Sequence, residues 1–169
     1  MLFKQERVGF HGRKFFQYKL RSMVSDAEEL KKKYLHLNEQ SGPVFKIKND
    51  PRLTNIGKFI RKFSIDELPQ LFNILKGDMS FVGPRPDVEG FADKLEGEDR
   101  IVLLVKPGVT GEATLKYKEE EKVLERQKDP DHYNRTIIWV DKVKINKNYV
   151  RNYSFYLDLK LIIKSIFDK

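Results

Sequence analysis

Two adjacent carboxylates stand in the most densely patterned stretch of the chain, Arg61-Lys62-Phe63-Ser64-Ile65-Asp66-Glu67-Leu68-Pro69-Gln70. Neighbouring residues cannot share one helical face, so Asp66 and Glu67 have different tasks. One can attack phosphorus while the other holds a hard divalent cation. The stretch also fits a plain helix start: Ser64 and Glu67 have S-x-x-E spacing, and acids in a first turn favour the helix dipole. Pro69 discriminates between registers. With Ser64 as N-cap its missing N–H falls inside the helix; with Asp66 as N-cap it falls at N3, where that group is unpaired anyway. The second register predicts Asp66 at a helix mouth, where free N–H groups favour a phosphate. On spacing alone, capping and catalysis both stand.

Several basic residues suit an anionic substrate. In Pro84-Arg85-Pro86 the two prolines bias Arg85 toward an extended conformation, which lowers the entropy its guanidinium loses in gripping a phosphate with two hydrogen bonds. An arginine in a surface turn is the plainer alternative. Lys19 and Arg21, two apart on an extended segment, face one side and repel unless an anion sits between them. A solvated edge strand is the plainer explanation at this point. Lys106-Pro107-Gly108-Val109-Thr110-Gly111 reads as a phosphate-facing loop or a simple turn. No G-x-x-x-x-G-K-[ST] and no G-x-G-x-x-G occurs, which argues against a nucleoside triphosphatase or a dinucleotide enzyme.

Composition narrows the chemistry further. The 169 residues carry a net charge of +8, which favours a polyanionic partner: nucleic acid, an anionic membrane surface or a phosphorylated substrate. The absence of cysteine excludes disulfides, thiolate metal sites and a cysteine nucleophile. His11, His36 and His132 are too scattered to suggest a histidine metal site. No apolar run is long enough to span a bilayer, and Lys4 and Glu6 rule out a signal peptide at Met1.

The elements that must position these residues form one domain, 1–169, of α+β class: helix-rich, with a small β-hairpin or sheet element and amphipathic surface helices. Leu2 to Val8 and Lys14 to Leu20 predict a hairpin around Gly9-Phe10-His11-Gly12. Ser25-Asp26-Ala27-Glu28 predicts a capped helix with Leu30, Tyr34 and Leu37 on one face. Gly42-Pro43 breaks the chain before a short strand, Val44 to Ile47. Asp50-Pro51 predicts N-cap and N1 of a helix carrying Leu53, Ile56, Phe59 and Ile60. Leu68, Leu71, Phe72 and Leu75 predict a second helix, ended by Gly77. Met79 to Val82 reads as extended, Val88 to Leu95 and Lys118 to Gln127 as helical; 129–146 gives no clear pattern. Phe155, Leu159, Ile162, Ile163 and Ile166 share one helical face, either packed on the core or laid on a membrane surface.

Taken together, FKQERVGFHGRKFFQYKLRSM, GPVFKIKNDPRLTNIGKFIRKFSIDELPQLFNILKGDMSFVGPRP, KPGVTG and the closing SFYLDLKLIIKSIF resemble the bacterial polyprenyl-phosphate sugar-1-phosphate transferases, the monotopic phosphoglycosyl transferases. These segments follow family order and span nearly the whole chain. The resemblance implies that Asp66 is a nucleophile toward the β-phosphorus of a UDP-sugar, releasing UMP and leaving a covalent phosphosugar that polyprenyl (undecaprenyl) phosphate then accepts. It implies that Glu67 helps hold Mg²⁺ against the diphosphate and that Arg85 is a phosphate ligand. Arg61, Lys19 and Arg21 match the family's basic positions around the substrate phosphates. It further implies the start of a surface glycan (capsule, exopolysaccharide or O-antigen) at the cytoplasmic face of the bacterial inner membrane, an anionic membrane surface as partner, and no nucleic acid. Family members usually carry an apolar re-entrant helix just before FKQERVG; the 169 residues do not include one. Leu20 replaces the usual Phe, and EATLKYKEEEK departs from a common Trp-Gln-Val type stretch in a way that suggests a different sugar choice. Two other classes compete: a basic helix-turn-helix-like DNA-binding module over 51–62 and 67–76, and a non-catalytic scaffold of the same fold.

Overall fold

The computed structural model describes residues 2–34, 47 and 50–167. Strands β1 (Leu2–Val8) and β2 (Lys14–Leu20) lie within the limits that the sequence predicts. They pair antiparallel with Val8 opposite Lys14 and Leu2 opposite Leu20. This register puts Phe3, Gln5 and Arg7 on the same face as Phe15, Gln17 and Lys19. That face is the more buried one on both strands.

Helix α1 (Ala27–Lys33) follows Asp26 rather than Ser25, with no side-chain cap. Leu37, the Gly42-Pro43 break and all of the Val44–Ile47 strand except Ile47 lie outside the described residues. Helix α2 (Asn55–Lys62) starts later than Asp50-Pro51 predicts, because Thr54 supplies the cap by accepting the Gly57 N–H at 2.9 Å. Asp50 is otherwise engaged: its two oxygens bind the buried Arg52 guanidinium at 2.9 and 2.6 Å. Gly57 lets α2 press onto the Ser22 backbone, since a Cβ there would lie 1.8 Å from the Ser22 carbonyl oxygen.

Helix α3 (Gln70–Lys76) ends as expected at Gly77, left-handed at φ 83°. Its polarity, however, is the reverse of a core helix. Gln70 and Asn73 are fully buried, while Leu71, Phe72 and Leu75 are exposed, as is Leu68 just ahead of them. Asn73 explains part of this. Its amide oxygen accepts the Tyr18 N–H at 3.0 Å and its amide nitrogen donates to the Phe16 carbonyl at 2.8 Å, so one side chain extends the hydrogen-bond pattern of β2. An amide so engaged is a good core residue. The same reversal disfavours a DNA-recognition role, because α3 offers apolar rather than polar side chains outward.

Strand β3 (Ser80–Val82) pairs in parallel with β4 (Gly108–Thr110). This pairing assigns KPGVTG a different task from the phosphate-facing loop considered above. Its backbone carries the Pro84-Arg85-Pro86 segment: Gly108 N–H donates to the Pro84 carbonyl at 2.8 Å and Gly83 N–H to the Thr110 carbonyl at 3.0 Å. The approach is so close that a Cβ on Gly108 would fall 2.1 Å from the Gly83 nitrogen. Val88 to Leu95 is not a full helix. Gly90 at φ 102° interrupts it, leaving a 3₁₀ turn at Ala92–Lys94.

Helices α4 (Glu112–Lys116), α5 (Glu120–Leu124) and α6 (Pro130–Tyr133) are short. A π-helical turn at Asn134–Ile138 leads into α7 (Trp139–Arg151), so the unpatterned 129–146 stretch is helical almost throughout. Helix α8 (Phe155–Phe167) closes the fold. One core cluster gathers Val8, Ala92, Leu95, Val102, Leu103 and Val143; a second gathers Val82, Tyr149 and Leu161. Helix α8 enters the second cluster through Leu157, Leu161 and Ile162, not through the face the sequence singles out. Apart from Ile162, that face points outward, with Phe155, Leu159, Ile163 and Ile166 all exposed. The fold is helix-rich α+β, with two small two-stranded sheets among the described residues.

Candidate active site

The acid pair sits between α2 and α3 on a 3₁₀ turn, Ile65–Glu67. Ser64 reverses the chain into that turn by taking the left-handed conformation, φ 56° and ψ 22°, a state that costs a non-glycine residue about 1 kcal/mol. Neither register weighed from sequence is realised. Ser64 makes no side-chain cap, and Asp66 lies inside the turn, with α3 starting only after Pro69. The reason is Ser64 itself: once its backbone turns left-handed, the next residues close i→i+3 bonds, Glu67 N–H to Ser64 O and Leu68 N–H to Ile65 O, both at 3.2 Å.

Glu67 is the hub. Its Oε1 accepts from Lys19 Nζ at 3.1 Å and from Arg85 Nη2 at 2.7 Å. The strand that bears Lys19 and the segment that bears Arg85 thus meet on one oxygen, and Oε2 accepts no hydrogen bond among the described residues. Burial alone would raise the Glu67 carboxyl. Arg85 and then Lys19 outweigh it and hold the group below the usual carboxylate range, so it is ionised at neutral pH. Burial conversely lowers the Lys19 ammonium, against the pull of Glu67.

Asp66 is buried, 8% exposed, yet its carboxylate takes part in no hydrogen bond or ion pair among the described residues. Its oxygens are not among the buried polar atoms left without a partner, so the carboxylate keeps contact with solvent while contributing no bond to the fold. Its position beside a hub of cations is what a nucleophile toward an anionic electrophile requires.

The remaining expected ligands are not all gathered. Arg61 is exposed and donates through Nε to Ser22 Oγ at 2.8 Å, tying α2 to the segment after β2. Arg21 has a buried Nε without a partner and no contact with Glu67 among the described residues. Two neighbouring residues were not singled out from sequence. Arg7 faces the hub from β1, and its guanidinium feels the charges of Arg85, Asp87 and Glu67. The cross-strand register Arg7–Phe15 is the signal that could have found it, since it shares a face with Lys19. Asp87, half-buried, is pushed up to about 6 by burial, against Lys142, Arg7 and Arg85.

No group of three or more His, Cys, Asp or Glu suited to a metal occurs among the described residues. That donor set still fits Mg²⁺, which is often held by one or two carboxylates, with phosphates and waters filling the rest. Glu67 Oε2 and the unpaired Asp66 are the available oxygens. Two clefts of about 440 Å³ flank the 97–104 turn, one lined by His11 and Arg100, the other by Trp139 and Lys144; neither is lined by Asp66, Glu67 or Arg85.

Comparison with known proteins matches the chain to one family. The model of the family described as bacterial sugar transferase matches residues 1–168. The chain is 41% identical over 165 residues to the galactosyl transferase CpsE of Streptococcus agalactiae, which covers 98% of this chain and 33% of that protein. It is 38% identical over 172 residues to the undecaprenyl-phosphate galactose phosphotransferase of Salmonella typhimurium, covering 97% of this chain and 32% of that one. It is 36% identical over 169 residues to the UDP-galactose-lipid carrier transferase of Erwinia amylovora, covering 98% and 32%. The chain spans about a third of the length of each of these relatives.

Proposed function

Because the chain belongs to the bacterial sugar transferase family, we propose that it is a phosphoglycosyl transferase that moves a sugar 1-phosphate from a UDP-sugar to undecaprenyl phosphate. The observation that carries this reading is Asp66, whose carboxylate bonds no described residue, next to a Glu67 held by Lys19 and Arg85. The relatives' names support both substrates: one names undecaprenyl phosphate, another UDP-galactose and a lipid carrier.

In this mechanism an Asp66 carboxylate oxygen attacks the β-phosphorus. The new P–O bond forms as the bond from that phosphorus to the bridging oxygen breaks, and UMP leaves with the bridging oxygen. Arg85 and Lys19 orient the diphosphate and offset its charge, which otherwise repels the carboxylate. Mg²⁺, when held by Glu67 with Asp66 nearby, supplies further charge neutralisation on the phosphates. In the second half-reaction a phosphate oxygen of undecaprenyl phosphate attacks the same phosphorus, and Asp66 leaves as the carboxylate. The lipid-linked product is a diphosphate that starts a surface glycan. A panel of UDP-sugars, supplied with undecaprenyl phosphate in lipid and Mg²⁺, tests this. At least one donor should yield UMP and a lipid-linked sugar; no turnover with any of them would refute the transferase reading.

The acceptor resides in a bilayer, and no helix of the described residues is long and apolar enough to cross one. We place the chain instead on the membrane surface. Exposed Phe59, Phe72, Leu75, Phe155 and Phe167 give apolar contact, and a net charge of +8 attracts anionic lipid. Helices α3 and α8 both pack on β3, whose Phe81 is also exposed. In a vesicle sedimentation assay the chain should pellet with anionic vesicles at low salt and be released at high salt, and Phe72→Asp with Phe155→Asp should weaken pelleting. Equal binding by wild type and double variant would remove these helices from the membrane contact.

A further inference from the structure

Arg7 is a charged residue that the mechanism above does not use. Three observations place it beside Lys19, Glu67 and the segment that carries Arg85. First, the hairpin register puts it on the same face as Lys19, which reaches Glu67 at 3.1 Å. Second, the Val8 N–H donates to the Asp87 carbonyl at 3.0 Å, so the end of β1 is fastened to the segment that carries Arg85. Third, the Arg7 side chain is incompletely satisfied: Nη2 donates to Gln5 Oε1 at 2.8 Å, while Nε is buried and has no partner.

The charge balance points the same way. Arg7, Arg85 and Lys19 are close enough to act on one another, and Glu67 is the acid that two of them contact directly. Burial and the Arg85 charge both lower the Arg7 guanidinium, so the fold holds two like charges together at a cost. An anion of more than one charge, seated between them, relieves the repulsion. Asp87 and Glu67 offset part of it, since both carboxylates raise the Arg7 guanidinium, yet burial and Arg85 still prevail.

We propose that Arg7 is a direct ligand of the donor's diphosphate, forming with Arg85 and Lys19 a three-cation cradle. The inference rests on the reading of the donor as a nucleoside diphosphate sugar. A single phosphate needs only part of the cradle; two phosphates span it. Discrimination between UDP and UMP is therefore the property Arg7 confers.

Titration calorimetry of the chain with UDP, UMP and inorganic pyrophosphate, in Mg²⁺, reads this directly. Arg7→Gln should weaken UDP and pyrophosphate at least about ten-fold and UMP by much less, and should raise the donor KM more than it lowers kcat. Arg7→Lys keeps charge and stem but loses the fork, and should recover only part of the loss. Circular dichroism and thermal melting establish that each variant is folded. Unchanged UDP affinity in a folded Arg7→Gln chain overturns the inference, as does an equal loss for UDP and UMP. If neither variant folds, Arg7 is a structural residue and the inference also fails. Turnover by the wild type with a donor KM unaffected by Arg7→Gln sinks this inference alone. UDP binding without turnover of any donor sinks the transferase reading and leaves the cradle standing.

Discussion

Asp66→Asn is expected to fold like the parent chain and to release no UMP from any UDP-sugar. The two halves of that expectation have separate physical causes. The Asp66 carboxylate makes no hydrogen bond or ion pair among the described residues and caps no helix, so an amide of the same shape removes no native interaction. Exchanging an acid that reaches solvent and bonds nothing for a neutral group of the same shape leaves the fold's stability nearly unchanged. For turnover, the amide oxygen is a far weaker nucleophile, and nothing else in the turn replaces it. Loss of a covalent nucleophile costs on the order of 10³-fold or more. The wild type, quenched after mixing with a productive donor, should gain the mass of a phosphosugar on the peptide containing Asp66. It should also follow ping-pong kinetics. An active Asp66→Asn chain, or an adduct on another peptide, would refute the covalent mechanism.

Glu67→Gln should be nearly as damaging, and through two routes. Oε1 of Glu67 accepts charge-assisted bonds from Lys19 and Arg85, so a neutral amide leaves two cations without their counter-charge. The same change removes the anionic oxygen left to hold Mg²⁺. UMP release by the wild type should stop in excess chelator and return with added Mg²⁺. The Gln variant should need much more Mg²⁺ for half-maximal rate, with a residual rate roughly 10²-fold or more below wild type. Because Glu67 is held below the usual carboxylate range, its charge is present at any pH above about 4.5. The metal requirement should therefore be flat from pH 6 to 8. Undiminished turnover in chelator would remove the cation from the mechanism.

How much of this was legible in the sequence depends on the range of the interaction concerned. The hairpin limits and the Gly77 cap follow from neighbours a few residues apart, and they stand where the spacing puts them. The apolar spacing of 68–75 likewise predicted a helix. It could not reveal which side faces inward, because Asn73 becomes a core residue only through the β2 backbone it meets. The family-specific segments were recognisable as strings, and the chain's membership follows from them.

Tertiary structure alone decided the geometry of the site. The turn at Ile65–Glu67 replaces a helix mouth because Ser64 adopts a left-handed backbone that no local pattern announces. KPGVTG turned out to carry Arg85 through backbone pairing of Gly108 and Gly83, a contact about 25 residues away along the chain. Arg61, alike in type to Arg85, was taken by Ser22, whereas Arg7 was brought in by the strand register and the Val8–Asp87 bond. Sequence determined which charged groups the protein possesses and the chemistry they suit. Which of them share one carboxylate oxygen, and which acid is left without a partner, was settled by long-range pairing, since distances between charges are fixed by packing and not by spacing along the chain.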